Sequence, residues 1–346
     1  KLHYFGKWDD WQAALERYQL QRDYLHAGKA LPESFDGLTV ADLVNRFLTA
    51  KQQQLEAGDI VQRTFAEYHT TCGIIVDEFG KRELVETLNV SDFEALRANL
   101  SKKVGPIRLG NLVQRIRSVF KYGYDAGLID KPVRFGPTFK RPSKKVLRAE
   151  RQKKGPRMFE AAELRQILEA ADQPLHAMIL LGINCGFGNH DCGALTRSSL
   201  DFLDGWRDFP RPKTAVERRC PLWRETIDAR ELASKKRPAP KNEEDDELVF
   251  LTKYGASWAK QIDDNPVSKA FRKLLNKLDL YRPGLGFYAI RHTFETIAGE
   301  SRDQVAVNHI MGHADASMSA HYRERISDER LQNCVELVRR WLFETN

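Results

Sequence analysis

The stretch "IMGHADASMSAHYRERI" (310–326) sets His313 and Tyr322 nine residues apart, across a run of small residues. Upstream, "YAIRH" (288–292) supplies Tyr288, Arg291 and His292, and "RPKT" (211–214) supplies Lys213. A tyrosine hydroxyl, with a pKa of about 10, is a poor nucleophile at neutral pH. Set beside arginine, lysine and histidine, it becomes able to attack a phosphodiester. The cations neutralise charge on the phosphorane oxygens, and an acid protonates the leaving alkoxide. Such chemistry needs no metal, and the acids are not spaced as metal ligands. Cys185, His190 and Cys192 lie close together but lack a second Cys/His pair, so neither metal nor other cofactor is expected.

These groups require elements to hold them. In residues 158–346, "FEAAELRQILEAA" reads as a helix with acids in its first turn. "PLHAMILLGINCGF" reads as a buried apolar helix ended near Gly186 and Gly188. "GWRDFPRPKTAVERRCPL" alternates and is rich in turn formers, which predicts a small β-ribbon carrying Lys213. Further helices fit "VSKAFRKLLNKLDL" and "FYAIRHTFETIAGE", the second placing Arg291 early; His313 falls at a loop or helix end. "DERLQNCVELVRRWLF" closes the chain with Leu331, Val335, Val338 and Leu342 near one face. A stripe of this kind must be buried; the family resemblance drawn below implies docking on a neighbouring subunit, with docking on its own domain the alternative.

The first part of the chain reads as a short strand "LHYFG", a helix from about Asp9 to His26, and a compact four-helix unit over 36–130. Thr39 and Asp42 make a capping box at the start of the first of those four helices. On "NLVQRIRSVFKY", Arg115, Arg117 and Lys121 interleave with apolar residues, so one face packs while the other is free to meet a polyanion. Between the two parts lies "FKRPSKKVLRAERQKKGPR" (139–157). It sets Lys140, Arg141, Lys144, Lys145, Arg148, Arg151, Lys153, Lys154 and Arg157 against a single acid, Glu150. With Pro142 and Pro156 bracketing it, the run reads as an extended basic linker suited to DNA backbone contacts.

The pieces "YAIRH", "MGH" and "AHY" share the order and spacing of a family's late motif, roughly H-x-x-R-H, then L-G-H, then Tyr nine residues on. Residues 38–346 thereby resemble a tyrosine recombinase of the phage integrase family. The resemblance implies a mainly α fold: a helical core-binding domain plus an α+β catalytic domain with a small antiparallel sheet. It divides the chain into an N-terminal segment at 1–35 (the end of an arm-binding domain), a core-binding domain at 36–135, a basic linker at 136–157 and a catalytic domain at 158–346. It implies Arg291 as a phosphate-clamping arginine, His313 as the motif histidine and Tyr322 as the nucleophile. Lys213 takes the place of the ribbon lysine that protonates the leaving 5′ oxygen.

Two positions depart from the pattern. Tyr288 stands where the family usually has histidine, and a phenol still donates a hydrogen bond. The family's first arginine lies in a segment like T-G-L-R-x-S-E-L-x-x-L. Here the segment is "CGFGNHDCGAL"; Asp191 and Leu195 fit the acid and leucine, and Gly188 stands where arginine belongs. Asn189 offers one neutral hydrogen bond in place of a bidentate cationic fork. Loss of one transition-state donor costs about 10²–10³ in rate, and Arg218 and Arg219 are the nearby basic groups to compensate.

The expected activity is a site-specific integrase that cleaves and religates DNA through a 3′-phosphotyrosine. The alternative is a DNA-binding protein of that fold with weak or lost cleavage. The expected partners are double-stranded DNA at a recombination site and further copies of the chain, as a tetramer on paired sites. The net charge of +7 is compatible with a polyanionic partner. No run of about 18 apolar residues is present, so no membrane span is expected. Five scattered cysteines without a CxxC suggest a reduced, cytoplasmic protein, and the expected DNA partner makes it nucleoid-associated.

Overall fold

The computed structural model describes residues 4–5, 10–26, 37–201, 205–211, 216–259, 265–315 and 317–344. The chain divides into two compact units, Lys1–Arg151 and Gln152–Asn346.

The first unit opens with α1 (Trp11–His26), α2 (Val40–Glu56), α3 (Gln62–Phe79), α4 (Val90–Lys103) and α5 (Pro106–Asp125). The Thr39 capping box is present: the Asp42 amide donates to Thr39 Oγ1 at 3.1 Å, and Asp42 returns a carboxylate to the Thr39 amide. Val40, Leu43, Val44 and Phe47 of α2 are buried against α3 and α5. Phe79, Phe93, Phe120 and Phe135 form a mostly edge-to-face cluster with centroids 4.8–6.3 Å apart, the geometry that ring quadrupoles favour. The strand expected at 2–6 lies mostly outside the described residues. Trp11 and Leu15 of α1 are exposed.

The basic run departs from expectation. It is not extended: Lys144–Lys153 forms α6. Its residues are mostly straight-chain helix formers, and the Ser143 hydroxyl accepts the Val146 amide at 3.4 Å across the first turn. None of its side chains is buried. The division between the two units falls inside it.

The second unit contains α7 (Ala161–Ala170), α8 (Leu175–Cys185), α9 (Asn189–Gly193), β1 (Leu200–Asp201), β2 (Trp206–Asp208), β3 (Arg219–Pro221) and α10 (Arg224–Lys235). It continues with α11 (Pro266–Lys277), α12 (Tyr288–Ala298), α13 (Gln304–Met311), α14 (Met318–His321) and α15 (Asp328–Phe343). The axis of the core is α8, apolar on every side and buried almost throughout, with α10, α11, α12 and α15 around it. Its one amide side chain is put to use: Asn184 donates to Pro221 O at 3.0 Å and accepts from the Trp223 amide at 2.9 Å. This fixes the end of the sheet to the central helix. The strands are antiparallel in the order β1-β2-β3, with Arg207 opposite Cys220 and Asp208 opposite Arg219.

The C-terminal helix corrects the favoured expectation. Leu331, Cys334, Val335, Val338 and Leu342 are buried in their own unit, against α7, α8, α12, α13 and β3. Trp223 Nε1 donates to Val335 O at 3.1 Å, Arg330 grips Asp303 at 2.6 and 2.7 Å, and Arg339 reaches Glu225 at 2.6 Å. The stripe is covered without a neighbouring subunit.

Candidate active site

Arg291 sits in the first turn of α12 and is 2% exposed. Its guanidinium donates to Gly186 O and to Met311 O, the latter at 2.8 Å. These carbonyls lie at the C-terminal ends of α8 and α13, where orphan acceptors and the negative end of the helix dipole favour a cation. Each of those helices stops because a glycine takes the left-handed conformation, Gly186 at φ +63° and Gly312 at φ +64°. The turn at Gly312 sends the chain back so that the His313 amide donates to Asn308 O at 2.9 Å. His313 Nε2 then lies 3.0 Å from Arg291 Nη2.

The pair has a defined proton arrangement. Burial, then the Arg291 charge, holds the His313 imidazole below its ordinary value, against an opposing pull from Glu295 and with a smaller further lowering by Arg211. His313 is therefore neutral near pH 7. With Arg291 donating to Nε2, the proton belongs on Nδ1, which faces Asn308 Oδ1 at 3.4 Å. Burial, then the Arg211 charge, also lowers Arg291.

Tyr288 begins α12, is half-exposed, and stands edge-on to His292 with centroids 5.4 Å apart. Its ring covers position 188: a Cβ on Gly188 would lie 3.2 Å from Tyr288 Cε2. The Gly188 amide donates to Asp191 Oδ2 at 2.8 Å. Asn189 is engaged elsewhere, donating to Ser268 Oγ of α11 at 2.6 Å. Arg219 is held by Asp208 at 3.0 Å and Asp328 at 3.2 Å and stacks on Trp206. Arg218 lies inward, 2% exposed, donating to Asp191 Oδ1 at 3.2 Å and to Phe209 O at 2.9 Å.

Tyr322 is not brought into this cluster. It caps the C-terminus of the short α14 and is 80% exposed. Lys213 lies outside the described residues. The candidate DNA contacts divide into two sets. Arg115 is ion-paired to Glu67, Lys121 to Asp125 at 2.8 Å, and Arg141 donates to Gln114 at 3.0 Å. Lys140, Lys144, Lys145, Lys153 and Lys154 are exposed on α6 or beside it. Cys185 and Cys192 are buried while His190 is exposed, and among the described residues no group of three metal-ligating side chains converges.

Two arginines of the ribbon lie beyond the residues assigned from sequence. Arg211 Nη1 donates to Gly312 O at 3.4 Å, next to the Arg291 anchor at Met311 O. Arg207 is wholly buried between Phe187 and Phe209, its Cζ 3.9 and 4.6 Å from the ring centroids, and among the described residues its three nitrogens have no hydrogen-bond partner. Burial pushes it down to about 9, which leaves it cationic at neutral pH. In sequence, alternation in the ribbon was the available signal for which face Arg207 occupies, but an arginine there reads as solvent-facing.

Residues 157–328 match the model of the phage integrase family. Comparison with curated protein sequences gave no match. Solved structures share the fold. One is a lambda integrase dimer bound to a COC′ core site, with TM-score 0.64 and 16% identity over 92% of this chain and 89% of that one. Another is a Tn1549 transposon integrase in complex with a circular intermediate DNA, with TM-score 0.62 and 18% identity over 87% and 99%. A third is a lambda integrase tetramer bound to a Holliday junction, with TM-score 0.63 and 16% identity over 94% and 91%. With the motif pieces and the matched region in its second unit, the chain belongs to the phage integrase family of tyrosine recombinases.

Proposed function

We propose that the protein is a site-specific DNA recombinase that cuts and rejoins strands through Tyr322. The observation carrying this reading is the Arg291–His313 pair, 3.0 Å apart at the ends of two buried helices. It offers a fixed cation and a neutral imidazole to one phosphate. The Tyr322 oxygen attacks phosphorus and loses its proton to solvent, the bond to the 5′ oxygen breaks, and Lys213 gives that oxygen a proton. The product is a 3′-phosphotyrosine and a free 5′ hydroxyl. A 5′ hydroxyl from a partner strand reverses the step, so the bond energy is kept and no high-energy cofactor is consumed.

Double-stranded DNA is the proposed partner, with a homotetramer on paired sites as the working assembly. The lambda integrase tetramer on a Holliday junction is its precedent. A second reading, a DNA-binding protein with weak cleavage, draws on two observations: Gly188 in place of arginine and Tyr322 left 80% exposed. Incubation with nicked duplexes of randomised sequence, followed by denaturation, separates the two. The cleaving enzyme gives a covalent adduct whose modified peptide maps to Tyr322. Tight binding with no adduct favours the second reading.

A further inference from the structure

Position 188 lacks the arginine that the family motif places there, and its neighbours do not fill the gap. Asn189 is committed to Ser268 and Arg219 to two surface carboxylates. The β-ribbon reaches the turn that presents His313. Gly312, the residue before it, has no room for a side chain: a Cβ there would lie 2.6 Å from Arg218 Cδ and 3.0 Å from Arg211 Cβ. Both ribbon arginines thus pack directly on the turn that presents His313. Arg218 has taken the Asp191 carboxylate, three residues past the missing arginine, and among the described residues its buried Nη1 has no partner. It is enclosed, however, with its side chain at 0% exposure. Arg211 is only half-buried. Its guanidinium and that of Arg291 hang from consecutive carbonyls, Gly312 O and Met311 O. Gly312 O accepts from one nitrogen of the Arg211 guanidinium, Nη1. Asp191 and Glu295 are the carboxylates facing this group. Three guanidiniums against two carboxylates leave a net cation beside a neutral imidazole.

The geometry points to Arg211 as the second cation on the scissile phosphate, supplied from the β-ribbon in place of the arginine absent at Gly188, with Arg218 as the positioning residue behind it. The inference rests on the strand-cleavage reading above for its catalytic part. The field of Arg211 on both Arg291 and His313 supports the placement. A bidentate fork pairs with two phosphate oxygens, which a single neutral amide at 189 cannot do.

Two measurements test it. Inorganic phosphate is titrated into the full chain with the His313 imidazole followed by NMR. The wild type should respond saturably; Arg211→Gln should weaken phosphate about tenfold or more, as expected for loss of a charge-assisted contact, and Arg211→Lys should recover part of it. Asn189→Ala should bind phosphate as the wild type does. No response in the wild type, or equal affinity in Arg211→Gln, overturns the proposal whether or not the protein cuts DNA. Single-turnover capture of nicked randomised duplexes should fall by about 10²–10³ in Arg211→Gln, with thermal melts showing the variant folded. Weakened phosphate with capture at the wild-type rate would confine Arg211 to binding and overturn its catalytic part. No adduct from the wild type would instead remove the strand-cleavage reading and leave the phosphate titration to decide Arg211.

Discussion

Gly312 carries two constraints at once. Its φ of +64° is a conformation that L side chains rarely adopt, and the space its Cβ would need is filled by Arg218. Gly312→Ala is therefore expected to cost roughly 1–3 kcal/mol of stability, read by thermal or denaturant unfolding, and to disturb His313 as well. An alanine variant as stable as the wild type would show that this turn is not held as described. His313 gives a second expectation. Its folded value lies below the ordinary 6.5, through burial first and the Arg291 charge next. The stability linked to it is present above about 6.5 and lost as pH falls below that, because the folded state resists the proton the unfolded chain accepts. An imidazole NMR titration should give a midpoint below 6.5, moving up in Arg291→Gln. A wild-type midpoint at or above 6.5 contradicts the arrangement. At this scale the resemblance singled out Arg291 and His313, which the fold sets 3.0 Å apart, and Tyr322, which it leaves exposed. The convergence of Arg207, Arg211 and Arg218 was not legible in the sequence. It depends on β2 and β3 meeting in register and on the turn at Gly312, which lies far along the chain from the ribbon.

Among the elements, α15 decides most. Its stripe was plain in the sequence, but the surface that covers it was not, since an amphipathic period states that a face is buried and not by what. The structure supplies the cover from α7, α8, α12, α13 and β3. Removing residues 328–346 should therefore unfold the second unit in the monomer. Leu331→Ala, at a site 0% exposed, should cost about 2–5 kcal/mol. A truncated chain that keeps its cooperative melt would return α15 to a docking role between subunits. The basic run shows the opposite limit. Its charge and flanking prolines suggested an extended segment, while the helix propensity of Lys144–Lys153 set its local structure. The α8 helix and the Thr39 capping box were readable because each rests on local rules: an unbroken apolar run, and a side chain answering an amide three residues away.

For the whole molecule, the distribution of charge matters more than the net +7. Arg115 and Lys121 are paired with acids in their own unit, and Lys144, Lys145, Lys153 and Lys154 lie exposed along the basic run. DNA binding should be steeply salt dependent, and converting those four lysines to Gln should flatten the log–log slope by roughly 0.9 for each phosphate they neutralise. A slope equal to that of the wild type would exclude the run from the DNA interface. The central claim is that Tyr322 is the nucleophile, although it is 80% exposed and stands apart from the Arg291–His313 pair. The most direct test compares covalent capture of nicked duplexes by the wild type and Tyr322→Phe, with binding measured alongside. The account predicts an adduct for the wild type, none for Tyr322→Phe, and near-equal DNA binding by both. An adduct that persists in Tyr322→Phe would contradict it and move the role to another tyrosine, with Tyr288, beside Gly188, the first to examine.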